Sequence, residues 1–256
     1  MKLSIALLSH STVATFILAT LLGTCPWDRV HADTVLETET AELGEKGEWL
    51  ISNSIQYEKS PDGKAAFTLF QFEYGVTSRS EILIEPFFQE WVWPKGGNKT
   101  SGLGDLEITP SYIALLETDN LPAIAGAFKL KVPTASNPAI GTGEYDYYPY
   151  LIFGKHFGKD WIVNANFGYD FITNIPGENF KNQFIYDLSV ERRINDDWSV
   201  FTEIFGNSKP SPDEKGTFAG AVAVEYQVSK HFNVFVSTGY DTDKTWNIRP
   251  GFNIHF

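Results

Sequence analysis

The sequence predicts an all-β fold: a transmembrane up-and-down antiparallel β-barrel of about twelve strands. Three observations predict it. First, the final stretch TWNIRPGFNIHF alternates, with Trp246, Ile248, Pro250, Phe252, Ile254 and Phe256 on one face of an extended segment and Thr245, Asn247, Arg249, Gly251, Asn253 and His255 on the other. That pattern runs unbroken to a C-terminal aromatic residue, as closing strands of bacterial outer-membrane barrels commonly do. Second, about twelve such segments recur from residue 48 onward, matching the even strand number of bacterial barrels. Third, the connections sort by parity: short turns follow the even segments, and mostly longer, turn-rich loops follow the odd ones. A barrel with turns on the periplasmic side and loops outside requires this sorting, whereas a soluble meander has no reason for it.

Taken in order, the chain opens with Lys2, an apolar stretch at 5–22 with a polar interruption at 9–12, and Val30-His31-Ala32 as a small-x-small cleavage site. Residues 1–32 read as a cleaved signal peptide. The apolar core is short and interrupted for a retained anchor helix, and Leu22-Gly23-Thr24-Cys25 resembles a lipobox only loosely. Cleavage after Ala32 removes the only cysteine, leaving no thiol, disulfide or cysteine-based metal site in an oxidising compartment. Residues 33–47, acidic through Glu37, Glu39, Glu42 and Glu45, follow neither period and read as a periplasmic N-terminal segment. Residues 48–256 form the barrel, its segments falling at 48–58, 65–76, 81–93, 104–117, 122–132, 144–157, 160–172, 182–194, 198–207, 216–228, 231–241 and 245–256.

Direction makes the aromatics interpretable. Trp49, Tyr74, Phe157, Trp161, Trp198, Tyr226, Phe232 and Phe256 fall near periplasmic strand ends, and Tyr57, Trp93, Tyr169, Phe184, Phe218, Tyr240 and Trp246 near outer ends. Two belts around an aliphatic band follow, since amphipathic rings favour the headgroup region. A charge facing lipid at mid-depth costs about 2–4 kcal/mol. Only Glu90, Lys155 and Arg192 carry outward parity, each near a strand end where it can reach the headgroups. Pro86, Pro110, Pro149 and Pro250 interrupt strand patterns, and bulges are expected there.

The inward parity collects Glu73, Glu85, Gln89, Asp105, Glu107, Asn164, Asn166, Asp170, Asp187, Glu191, Glu203, Glu225 and Asp241, with Lys129, Lys131, Arg193 and Arg249 as the main bases. Of these, Glu85, Asp105, Glu107, Lys129, Lys131, Asp170, Asp187, Glu191, Arg193, Glu203, Glu225 and Arg249 are the candidate lumen-lining residues. Phe67, Leu69, Phe87, Ile185, Phe201 and Phe205 also point inward, so an open pore and a constricted, substrate-selective path are both compatible with the pattern. An acidic lumen would concentrate cations and disfavour anions. The formal net charge of -12 argues against a nucleic-acid partner.

Thr38-Glu39-Thr40-Ala41-Glu42-Leu43-Gly44-Glu45-Lys46-Gly47-Glu48-Trp49, Tyr74-Gly75-Val76-Thr77-Ser78-Arg79, Gly102-Leu103-Gly104-Asp105-Leu106, Lys131-Val132-Pro133-Thr134 and Asn166-Phe167-Gly168-Tyr169 resemble the outer-membrane transporter family labelled "putative MetA-pathway of phenol degradation". The similarity extends over nearly all of the mature chain. It implies carriage of hydrophobic or aromatic compounds across the outer membrane and supplies no catalytic residue.

No enzyme is expected. His156, His231 and His255 all fall near periplasmic strand ends without a nucleophile and an orienting group, and the His-x-Ser-Asn-Gly stretch of outer-membrane phospholipase A is absent. No metal site or cofactor is expected either: Asp241-Thr242-Asp243 lacks the rest of a calcium loop, and Gly102-x-Gly104 is a lone glycine pair. The expected role is a channel or transporter for small solutes in the outer membrane of a Gram-negative-type envelope. Its expected partners are outer-membrane lipid, a small-molecule solute, and the barrel-assembly machinery acting through Phe252, Ile254 and Phe256. The alternatives are a non-transporting barrel that binds partners through its outer loops and, further off, a soluble secreted β-sandwich or calyx.

Overall fold

A computed structural model describes residues 35–86, 89–212 and 214–256; the signal-peptide reading of residues 1–32 and the inward reading of Phe87 lie outside the described residues. The strands are β1 (Trp49–Ser60), β2 (Gly63–Thr77), β3 (Ser80–Glu85), β4 (Glu90–Pro94), β5 (Thr100–Gly102), β6 (Leu106–Leu115), β7 (Ala123–Val132), β8 (Asp146–Phe157), β9 (Trp161–Asp170), β10 (Gln183–Arg193), β11 (Trp198–Asn207), β12 (Phe218–Ser229), β13 (Phe232–Asp241) and β14 (Trp246–His255). Each pairs antiparallel with its neighbours, and β14 pairs with β1, so the sheet closes into a barrel of twelve staves. Closure leaves no edge along the ring. The chain's C-terminus makes the last rungs, where Phe256 N donates to Trp49 O at 2.9 Å and Trp49 N to Phe256 O at 3.2 Å.

One of the twelve sequence segments is redrawn. The third splits into β3 and β4, and the fourth, which is β6, is preceded by a short strand β5 inside the stretch 94–103 expected to be loop. On β2, Phe72 pairs with Ile84 and Phe67 with Glu90, so between these two rungs the split stave carries one residue more than β2. The bulge expected at Pro86 is therefore present, and it exchanges the two faces of the rest of that stave. Glu90, expected to face lipid, is instead 4 % exposed in the interior. The other three prolines do not form bulges. At Pro110 the β6–β7 ladder goes from Ile108↔Leu130 to Ser111↔Ala127, and at Pro250 the β1–β14 ladder goes from Ser54↔Gly251 to Tyr57↔Ile248. At Pro149 the β8–β9 ladder stops at Tyr150↔Gly168 and resumes at the Tyr147↔Phe171 bridge. In all three cases the register is unchanged on the far side: a residue without an N–H is met by an omitted rung rather than an inserted residue.

The outer surface is apolar, with Ile82, Ile84, Leu151, Leu188, Val222 and Val236 exposed between the ends of the staves. Aromatics crowd both ends. Trp49 packs on Tyr74 at 4.6 Å and Trp198 on Tyr226 at 4.7 Å near the short-turn end, while Tyr57 meets Trp246 at 6.4 Å near the loop end. Arg192 lies over the Trp161 ring at 4.6 Å, its charge at strand-end level where headgroups can solvate it. A surface of this kind is solvated by lipid, and the protein is an outer-membrane barrel.

Candidate functional site

Because the outward residues of each stave are exposed apolar groups, a buried polar residue in the wall faces the interior. Glu85, Asp105, Glu107, Asp187, Glu203, Glu225 and Arg249 are buried, and Lys129, Lys131, Asp170, Glu191 and Arg193 are half-buried. The bases gather acids from several staves. Lys129 on β7 reaches Glu107 on β6 at 3.1 Å and Glu85 on β3 at 3.3 Å. Lys131, one step along β7, pairs with Asp146 on β8, lies 3.9 Å from Asp105, and donates to Thr142 Oγ1 at 3.0 Å. Asp105 in turn accepts from Ala135 N at 2.9 Å, tying down the loop between β7 and β8. Farther round the ring, on β10, Glu191 accepts from Arg193 Nε at 3.1 Å and Ser199 Oγ at 2.8 Å. Two further acids, Glu81 and Glu90, are buried in the same interior and were not among the sequence candidates. Among the described residues, no three His, Cys, Asp or Glu side chains group as metal ligands.

The interior also holds the acidic segment that precedes β1. From Gly47, whose N–H donates to Gly75 O at 2.7 Å, the chain turns into the barrel rather than away from it. Gly44 N donates to Glu81 on β3 at 2.8 Å. Glu42 meets His156 Nε2 on β8 at 2.6 Å, while Glu117, from the turn after β6, meets Nδ1 at 2.7 Å. The two ring nitrogens of His156 thus each face a carboxylate, one from the N-terminal segment and one from the turn. Burial would raise the Glu117 carboxyl, but hydrogen bonds from Lys155 and His156 outweigh it and hold the group at about 2. Ala41 then rests on a floor of Ala123, Ala125, Ala127 and Ile152, flanked by Tyr150.

Deeper in, Asn166 on β9 reads the backbone of Glu39 in both directions, accepting from its N–H at 2.7 Å and donating to its carbonyl at 2.9 Å. The Tyr150 hydroxyl donates to the Glu39 carboxylate. Burial raises the Glu39 carboxyl to about 7, against the opposing pull of Lys129 and the Tyr150 hydrogen bond. In the middle of β11, Glu203 accepts from Glu37 N at 3.1 Å, Thr38 N at 2.5 Å and Thr38 Oγ1 at 2.5 Å. Arg249 donates to Glu37 at 3.2 Å and to the Val35 carbonyl at 3.1 Å, and Val35 and Leu36 bury against Phe201, Ala223 and Phe235. Residues 35–45 thus cross the lumen from the β2–β3 side to the β11–β14 side.

Two glycines make room for this path. A Cβ on Gly75 would lie 1.9 Å from the Glu45 carbonyl oxygen, and one on Gly154 would lie 3.0 Å from the Ala41 side chain. Glycine in the interior of a strand weakens it and often marks a close backbone approach. That was the one signal in the sequence that something lies against the inner wall.

No curated protein sequence matches the chain. Among solved structures, it is similar to the NanC porin (TM-score 0.59, 14% identity, covering 80% of this chain and 98% of that one). It is also similar to the KdgM porin in complex with disordered oligogalacturonate (TM-score 0.55, 14% identity, 80% and 99%) and to the CymD monoaromatic hydrocarbon channel (TM-score 0.50, 8% identity, 83% and 89%). At these identities the likeness is one of fold. The family described as "Putative MetA-pathway of phenol degradation" matches residues 55–253, which is every stave of the barrel, and the chain belongs to that family.

Proposed function

We propose that the protein is an outer-membrane channel for small solutes, with an acid-rich lumen that favours cationic and neutral solutes over anions. The observation that carries this reading is the charge of the inner wall. Glu81, Glu85, Glu90, Asp105, Glu107, Asp187, Glu203 and Glu225 are all buried there, opposed by Lys129, Lys131, Arg193 and Arg249. Fixed charges of one sign within low-dielectric walls raise the local concentration of the opposite ion. Oligogalacturonate, named with the KdgM porin, is a polyanion, and this interior is of the wrong sign for it. Family membership favours aromatic solutes instead. Tyr148 and Tyr150, stacked at 4.6 Å on the inner side of β8, together with Phe201 and Phe235, offer ring faces beside acceptor-rich carboxylates. Such a lining suits a small ring bearing hydroxyl or amine donors. Phe252, Ile254 and Phe256 lie on the lipid-side parity of β14, where the assembly machinery would read them before closure.

Planar-bilayer recording in a salt gradient tests the reading. Discrete steps with a cation-selective reversal potential are expected, and an anion-selective reversal would overturn the acidic lumen. A folded barrel that stays silent with its lumen cleared would return the surface-binding alternative.

A further inference from the structure

We propose that residues 35–45 are a resident plug: the lumen carries a built recognition site for an extended peptide, the chain's own N-terminal segment fills it, and the path conducts when that segment leaves. The inference rests on the channel reading above. Four features of the contacts carry it.

First, the wall reads backbone. Asn166 makes the paired amide contact that a neighbouring strand would make, Glu203 gathers two consecutive N–H groups, Glu81 takes the N–H of Gly44, and Arg249 takes the carbonyl of Val35. Peptide groups taken from water need such partners, and here they come from side chains of β3, β9, β11 and β14. Second, the acidic side chains of the segment are each met by a donor. Arg249 pairs with Glu37, Tyr150 donates to Glu39 with Lys129 facing it, and His156 meets Glu42, so none of the three enters the acidic lumen unpartnered. Third, the shape is complementary, with an alanine floor beneath Ala41, an aromatic cup around Val35 and Leu36, and clearance at Gly75 and Gly154. A water-filled pore has no use for an apolar floor at Ala123, Ala125 and Ile152.

Fourth, the attachment is of a releasable kind. Among the described residues no β-ladder joins residues 35–45 to the wall, and every stave pairs with both of its neighbours without them. Segments held by a few side-chain contacts open at lower free energy than ladder strands. The segment sweeps past β3, β8, β9 and β11 to β14, so in place it bars the lumen and once released it leaves the wall intact.

The experiment pairs hydrogen exchange with conductance on the whole protein refolded in detergent. Thr38→Pro removes the N–H and hydroxyl that Glu203 accepts while leaving every wall residue in place, so the barrel should fold; Glu203→Ala removes the acceptor from the other side. In the unaltered protein the amides of Glu37, Thr38, Glu39 and Gly44 should be protected. In both variants exchange over residues 35–45 should rise at least about tenfold, strand protection should stay constant, and open-channel probability should rise. Three outcomes would overturn the plug. One is unprotected exchange of residues 35–45 in the unaltered, folded protein. A second is a freed segment with conductance equal to that of an already conducting parent, which leaves the channel reading standing. The third is a freed segment in a barrel that stays silent, which overturns both.

Discussion

The two ends of the described chain both close something, by different means. At the C-terminus β14 closes the ring: Leu50 to Ser54 and Tyr57 to Lys59 pair with it on one side and Phe232 to Tyr240 on the other. At the N-terminus residues 35–45 close the lumen through side chains that reach out from the wall. A stave that shares ladders with two neighbours cannot leave without opening the barrel, and in lipid each orphaned backbone group costs several kcal/mol. A segment held by side-chain contacts can leave at the cost of those contacts alone. The comparison separates a permanent closure from a reversible one.

The largest expected effect comes from breaking the permanent one. Deleting residues 252–256 removes the rungs from Leu50, Ile51, Ser52 and Asn53 to β14 together with those at Phe232, Asn233 and Val234. Near-complete loss of folded protein is expected, read as loss of the heat-modifiable band on gels and of outer-membrane accumulation. A folded, inserted product would show that the ring does not depend on its last rungs.

A smaller effect, confined to the other end, is expected from Gly154→Val. The new side chain would begin 3.0 Å from both the Ala41 side chain and the Asn164 side-chain oxygen. Overpacking of this kind costs about 1–3 kcal/mol, and the loosely held segment should yield before the ladder does. Exchange over residues 38–44 should speed up by roughly tenfold to a hundredfold, with little change in the protection of β7 and β9. Equal loosening of the strands would erase the distinction between the two closures.

Acid should sharpen the same distinction. Glu39 is held by Tyr150 on β8, faces Lys129 on β7 and Glu81 and Glu85 on β3, and has the neutral Asn166 of β9 beside it; docked, it titrates at about 7. Released into water it would return to about 4.5. The docked form therefore binds the proton more tightly. Its contribution to docking is fully present below about 4.5 and is lost as the pH rises through about 7. Protection factors over residues 35–45 should fall between pH 5 and pH 7.5 while those of β13 and β14 stay level, and Glu39→Gln should flatten the slope. A segment more protected at the higher pH would reverse the assignment.

How far the sequence discloses each closure follows from what holds it. Lipid on one side and a polar lumen on the other force a period of two on every stave, so β14 is legible from Trp246 to Phe256, and turn lengths add direction. Residues 35–45 carry no period because the wall reads their peptide groups, which every residue has. Only Gly75 and Gly154, small residues in otherwise bulky strands, hint at them. The acids gathered by Lys129 lie on β3 and β6, and parity alone finds all three residues, but it cannot see which staves come together around the ring. The break at Pro86 hides for a different reason: one extra residue exchanges the faces of the rest of that stave, and the chain shows no sign of the change except a charge at Glu90.

That charge gives the smallest and most discriminating prediction. If Glu90 faced lipid, Glu90→Gln would remove a costly group from the hydrocarbon and raise barrel stability, leaving the pore untouched. Facing inward, as the split stave places it, Glu90 is one acid among many in the lumen, buried on the same inner wall as Asp105 and Glu107. The substitution should then leave thermal stability nearly unchanged and shift the reversal potential of a cleared channel slightly toward the anion side, by less than a twofold change in cation preference. Recording it in the Thr38→Pro background separates wall from plug, because the segment's own carboxylates no longer contribute. A gain in stability with no shift in selectivity would put Glu90 back on the lipid face and move the bulge above it.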